Sequence, residues 1–240
     1  MNTYIINLET AVERKKCIEQ QIDKLTGLSA EFVKAVDGRK LTDKDLDILF
    51  NKDLFYRRYG RYPRSGEIGC TLSHQKCFKM MVDKNIQYAL ILEDDILIKN
   101  NERINGCLQE LAEIVEKNDK PVIILLSSWF WYWRKRKYNN LFSLVDITDA
   151  FSTYAYMINN QAAKLLLERR PCITADDWRY IRKKGVNVWA VYPHLVDHNG
   201  ELESSIRMQT DKSPYWWRIC HLNILFRQKI LKLFGRFEAP

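Results

Sequence analysis

The chain opens with a short apolar run, Tyr4-Ile5-Ile6-Asn7-Leu8, bounded by polar residues. That pattern predicts a buried strand. From residue 9 to 25 the spacing turns helical. Val12, Ile18, Ile22 and Leu25 fall roughly on one side, with charges elsewhere. Phe32-Val33-Lys34-Ala35-Val36 reads as a second strand and Asp37-Gly38 as its turn. Strand, helix, strand at this spacing is a βαβ unit, and such units build parallel sheets.

The alternation continues along the chain. Residues 41–55 predict a polar helix, 56–65 a loop rich in Arg, Tyr, Gly and Pro, and 68–84 a helix. Strands are expected at 88–92, 121–126, 154–158 and 186–192, and helices at 104–117 and 160–169. The expected fold is α/β: one doubly wound, mostly parallel sheet with helices on both faces, over residues 1–210. Residues 211–240 differ. Arg218, His221, Lys229, Lys232 and Arg236 fall on one helix face. Trp216, Ile219, Ile224, Phe226, Ile230 and Phe234 fall on the other, interrupted by Arg227. Such a basic amphipathic helix either lies on an anionic membrane surface or packs on its own domain.

Composition narrows the class. With 240 residues, 46% of them hydrophobic, the chain can bury a sizeable core. The net charge of +8 favours nucleic acid, phospholipid head groups or phosphorylated small molecules, without choosing among them. The six cysteines form no C-x-x-C pair and no zinc spacing, so they read as buried thiols in a reducing compartment. The start lacks the basic lead and apolar length of a signal peptide, and no run long enough to span a membrane is present. A cytoplasmic protein is expected.

Four clusters carry candidate chemistry. Ile91-Leu92-Glu93-Asp94-Asp95 ends an apolar strand in three carboxylates, where open α/β sheets bind ligands. Three anions at one strand end repel unless hydrogen bonds or a cation offset them, and oxygen donors suit Mg²⁺ or Mn²⁺. Strand alternation would point Glu93 and Asp95 to one side. Ser65-Gly66-Glu67-Ile68-Gly69-Cys70 starts a helix that continues to Ser73-His74. Gly69 in its first turn costs about 1 kcal/mol against alanine, which close approach by a ligand or another backbone would offset. Thr174-Ala175-Asp176-Asp177-Trp178 offers two aspartates, one of which a helix cap would explain. Residues 56–64 and 131–138 interleave Arg with aromatics, a pattern that grips sugars and phosphates as well as single-stranded nucleic acid.

Together these segments resemble glycosyltransferase family 25, the lipooligosaccharide-biosynthesis family. The match runs in family order through Ile6-Asn7-Leu8 with Arg14, Ala35-Val36-Asp37-Gly38, the Gly66 to His74 helix start and Leu92-Glu93-Asp94-Asp95. Thr153-Tyr154-Ala155-Tyr156, Asp176 or Asp177, Tyr192-Pro193 and Ser204-Ser205-Ile206 follow. The resemblance implies a GT-A type fold and an inverting transfer of a hexose, galactose or glucose, from a UDP-sugar. It implies a lipooligosaccharide or lipopolysaccharide core acceptor, worked on at the inner face of the inner membrane, and no nucleic-acid partner. It places Asn7, Leu8, Arg14, Gly69, Ser73, His74, Glu93 and Asp94 at the nucleotide-sugar. Glu93, Asp95 and His198 would hold Mn²⁺ or Mg²⁺, and Asp176 or Asp177 would be the base. A glycoside hydrolase, which also needs two carboxylates, and a non-enzymatic nucleic-acid or membrane-binding module are the rival classes.

Overall fold

The computed structural model of the protein describes residues 1–200 and 236–239. In chain order the elements are β1 (Asn2–Asn7), α1 (Val12–Ile22), β2 (Ser29–Lys34), a 3-10 turn (Gly38–Lys40), α2 (Asp43–Leu49) and α3 (Lys52–Tyr59). Next come α4 (Ser65–Asp83), β3 (Tyr88–Glu93), β4 (Ile96–Ile98), α5 (Asn101–Glu116) and β5 (Val122–Leu125). The remainder are β6 (Phe130–Lys137), β7 (Ser143–Ala150), β8 (Ala155–Asn159), α6 (Asn160–Leu167), α7 (Trp178–Lys183), β9 (Asn187–Tyr192), β10 (Val196–His198) and β11 (Arg236–Glu238).

Among the described residues, nine strands form one sheet in the order β11-β6-β7-β9-β5-β8-β3-β1-β2, and β10 pairs with β4. The parallel expectation holds for β2-β1-β3 and for β5-β9. Elsewhere β8 runs antiparallel between β3 and β5, and β7, β6 and β11 extend the far edge antiparallel.

Strand alternation sends side chains into two cores. Tyr4, Ile6, Ala89 and Ile91 pack on one face with Cys77 and Met81 of α4, Ala163 of α6 and Trp178 of α7. Ile5, Leu90 and Leu92 pack on the other with Ile18 of α1 and Leu111 of α5. Helices therefore cover both faces, as expected of a doubly wound α/β domain. The crossover from β1 to β2 carries α1 on one face, and that from β2 to β3 carries α4 on the other. The winding reverses between β1 and β3, so the crevice outside their carboxyl ends is the topological switch point.

Several local expectations change. The helix expected over 41–55 breaks at Phe50 and Asn51, and Asn51 caps α3 by accepting from Leu54 N at 3.0 Å. The segment expected as a loop from residue 56 is the end of α3, closed by Gly60 in the left-handed conformation. Residues 130–150 form a hairpin of two long strands, although β6 ends in five exposed residues and so lacks an alternating pattern. The amphipathic tail expected over 211–240 lies, as far as residue 235, outside the described residues. Arg236, expected on its basic face, lies in β11 and pairs with Tyr132 of β6. Among the described residues, no helix is long and apolar enough to cross a membrane.

Candidate active site

A cleft of about 1030 Å³ opens at the switch point. Its walls include Leu8 after β1, Val36 after β2 and Glu93, Asp94 and Asp95 at the end of β3. Ser73 and His74 of α4 face it, and Asp176 and His198 close it from later in the chain. Residues expected at one site from distant segments therefore share one space.

The strand ends at Glu93 and the next two residues turn, so alternation stops there. Asp94 and Asp95 share a partner instead. Arg14 places Nη1 3.0 Å from Asp94 Oδ1 and also pairs with Asp95 Oδ2. Asn7 donates to Asp94 Oδ2 at 2.7 Å, bridging the ends of β1 and β3. Glu93 has other partners. It accepts from the Thr153 hydroxyl and lies 3.4 Å from His74 Nε2. Asp94 and Asp95 thus share Arg14, while Glu93 faces Thr153 and His74.

Burial sets the electrostatics. It raises the pKa of Asp94 despite Arg14 and Asn7. It pushes Asp95 up to about 7, with repulsion from Glu93 adding to the rise and Arg14 opposing it. Burial also works to raise Glu93, but His74, Thr153 and Arg14 outweigh it and hold the group low. Of Glu93 and Asp95, Asp95 therefore takes up a proton first as the pH falls. One oxygen of Asp95, Oδ1, is buried with no hydrogen-bond partner among the described residues, and His198 Nε2 stands 3.7 Å from the other.

A second donor set shares Glu93. The ligand atoms of Cys70, His74 and Glu93 lie within 4.8 Å of one another. Burial raises the Cys70 thiol well above its ordinary range, so it stands protonated. His74 Nδ1 meets the Tyr156 hydroxyl at 2.8 Å, which fixes the ring.

The two neighbouring aspartates part company. Asp176 lines the cleft, and burial raises its pKa. Asp177 caps α7, accepting from Tyr180 N at 2.9 Å. Both its oxygens are also taken by Arg58, at 2.5 and 2.8 Å, and the Tyr59 hydroxyl donates to one of them. Burial opposes ionisation of Asp177, but these donors prevail and hold its pKa low. Its carboxylate is held by these partners and is not among the residues lining the cleft, whereas Asp176 is.

At Gly69 the close approach by another backbone is what the structure shows. A Cβ there would lie 2.5 Å from Val36 O and 2.7 Å from Gly38 N. The backbone that comes close is the turn after β2. Ser73 fastens the same contact, accepting from Val36 N at 2.8 Å and donating to Gly69 O at 2.7 Å. Of the Arg-rich segment before α4, Arg58 is held by Asp177 and Arg61 by Glu67, and only Arg64 reaches the cleft wall. Arg39, Thr153 and Tyr154 also line the cleft and were not singled out as ligands. Thr153 and Tyr154 stood in the family-like stretch, but nothing in their spacing marks a hydroxyl aimed at Glu93.

The fold and the cleft define a doubly wound α/β protein with an acid- and arginine-lined ligand site at its switch point. The model of glycosyltransferase family 25 (LPS biosynthesis protein) matches residues 1–178. A glycosyltransferase 25 family member of Aedes aegypti is 32% identical over 180 residues, covering 70% of this chain and 28% of that protein. Procollagen galactosyltransferase 1 of Danio rerio is 27% identical over 179 residues, with shares of 70% and 28%. A Bos taurus protein named probable inactive glycosyltransferase 25 family member 3 is 27% identical over 182 residues, with shares of 70% and 29%. The chain belongs to glycosyltransferase family 25. It spans under a third of the length of these three relatives.

Proposed function

We propose that the chain is a metal-assisted, inverting glycosyltransferase that moves a hexose from a UDP-sugar to a lipooligosaccharide or lipopolysaccharide core glycan. The observation that carries this reading is the cleft itself, which sets Asp176 in one space with Glu93, Asp94, Asp95 and Arg14. Galactose comes first among donors because the zebrafish relative is named a galactosyltransferase, and glucose second. The acceptor class follows the family's description. A lipid-borne acceptor would put the enzyme at the inner face of the inner membrane.

Of the expected ligand set Glu93, Asp95 and His198, only Asp95 and His198 stand together, while Glu93 converges with Cys70 and His74. A divalent cation would be held first by Asp95 and His198. Asp95 Oδ1 lacks a partner among the described residues, and the oxygen and nitrogen donors suit Mn²⁺ or Mg²⁺. When bound, that ion would neutralise the donor diphosphate. Arg14, Arg39 and Arg64 on the cleft wall supply fixed positive charge for phosphate oxygens. Asn7 and Arg14 hold Asp94, which keeps the β1 and β3 ends in register around the ligand. Asp176 takes the proton of the acceptor hydroxyl on its carboxylate. Its raised pKa makes it a better base than an exposed aspartate.

Transfer from UDP-galactose to a lipooligosaccharide, with Mn²⁺ present, tests this assignment. Asp176→Asn should cut turnover by about 10² or more while UDP affinity changes little. Turnover near wild type in the folded Asp176→Asn variant would place the base elsewhere.

A further inference from the structure

Beside the cleft lies a second cavity of about 390 Å³, walled by Trp129, Trp131, Phe151, Tyr154 and Phe237. Phe151 and Tyr154 line both spaces, so the two adjoin. Three of the rings stand open: Trp129 is 43% exposed, Phe151 52% and Phe237 39%. Aromatic surface gathered this densely at the exterior marks a binding site. The rings come from separate elements. Trp131 belongs to β6 and Phe237 to β11, and their centroids lie 4.8 Å apart.

The backbone is held out of its ordinary range to present one of these rings. Trp129 has φ 68°, the left-handed region that residues with a β-carbon seldom enter. Two backbone hydrogen bonds hold it there. Trp129 N donates to Glu238 O at 3.0 Å, and Phe151 N donates to Trp129 O at 3.1 Å. Glu238 is itself anchored, with Oε1 2.8 Å from His194 Nδ1. Strain maintained by surrounding structure at an exposed aromatic points to function.

We propose that this cavity is the acceptor subsite and stacks a pyranose ring of a saccharide. The proposal rests on reading the adjoining cleft as the donor site. A pyranose has an apolar face of C–H groups that packs on aromatic rings, and a rim of hydroxyls that needs polar partners. The five rings supply the first. Thr153 and Asp176, on the cleft side of the shared border, supply the second. An alkyl chain would meet the rings equally well but would desolvate those polar groups without pairing them. A sugar stacked at Phe151 and Tyr154 turns a hydroxyl towards the cleft that holds Asp176.

Saturation-transfer NMR on the full chain tests this, with methyl β-galactoside, methyl β-glucoside and methyl α-mannoside as probes. UDP calorimetry with Mn²⁺ runs on the same samples. At least one glycoside should bind saturably. Phe237→Ala and Trp129→Gly, which touch the second cavity and not the cleft, should each weaken it at least about tenfold, the scale of losing an aromatic anchor. Trp133→Ala, outside the cavity, should change nothing. Trp129→Gly should also keep or raise the melting temperature, because glycine adopts φ 68° without strain. UDP binding should be the same in all variants. The proposal is overturned if no glycoside binds while UDP does, or if the two cavity variants bind as wild type does. Saturable binding of n-octanol instead of the glycosides, lost in those variants, would also overturn it. Loss of UDP binding in the wild type, with glycoside binding intact, would remove the donor reading and leave the saccharide site standing.

Discussion

Asp176 and Asp177 are adjacent in the chain, yet their surroundings assign them opposite work. Asp177 is enclosed by Arg58, Tyr59 and the start of α7, and its ionised form is favoured. Asp177→Asn keeps a capping oxygen but removes the charge opposite Arg58. We expect a loss of about 1–3 kcal/mol of stability in denaturant unfolding, with the cleft still binding UDP. The pH dependence has a defined sign. A depressed folded pKa stabilises the protein above the unfolded aspartate value, about 3.9, and that contribution fades as pH falls through the folded value. The stability gap between wild type and variant should therefore be full at neutral pH and close in acid. A gap that does not change with pH would contradict the ion-pair assignment. The pairing of the two aspartates could be read from the sequence, but their division could not. It depends on Arg58, which reaches Asp177 across a separation of 119 residues.

The acidic end of β3 was legible because an apolar run stopped abruptly at three carboxylates, and β1, α1, β2 and α5 were legible from their periods. The hairpin of β6 and β7 was not, because β6 carries its basic residues outward without alternation. Gly69 shows the same limit in another form. Its presence early in α4 signalled a close approach, but only the fold reveals that the neighbour is the turn after β2. That contact seats α4, and with it His74 and Cys70, against the cleft. Gly69→Ala would drive a methyl group to 2.5 Å from Val36 O, so the helix must shift. We expect a stability loss of about 1–3 kcal/mol, the range for overpacking, together with weaker UDP binding. An unfolding midpoint equal to that of wild type would show that the backbone contact is not tight.

For the whole molecule, the doubly wound sheet explains why residues from β1, β3, α4 and the segment before α7 meet. Chain reversal between β1 and β3 leaves one crevice, and later segments fold over it. The proposed membrane contact depends on the basic stretch before residue 236. Full-length protein should pellet with anionic vesicles at low salt, and protein lacking residues 214–240 should not. Failure of the full chain to pellet would remove the membrane contact and leave the cleft untouched. The central claim is that this cleft activates a UDP-sugar. The direct measurement is hydrolysis of a panel of UDP-sugars with Mn²⁺ and no acceptor, in wild type and in Asp95→Asn. The account predicts that UDP-galactose or UDP-glucose is consumed, that chelator stops it, and that Asp95→Asn is folded but inactive. Consumption of no UDP-sugar by the folded wild type, or equal consumption with chelator present, would contradict it.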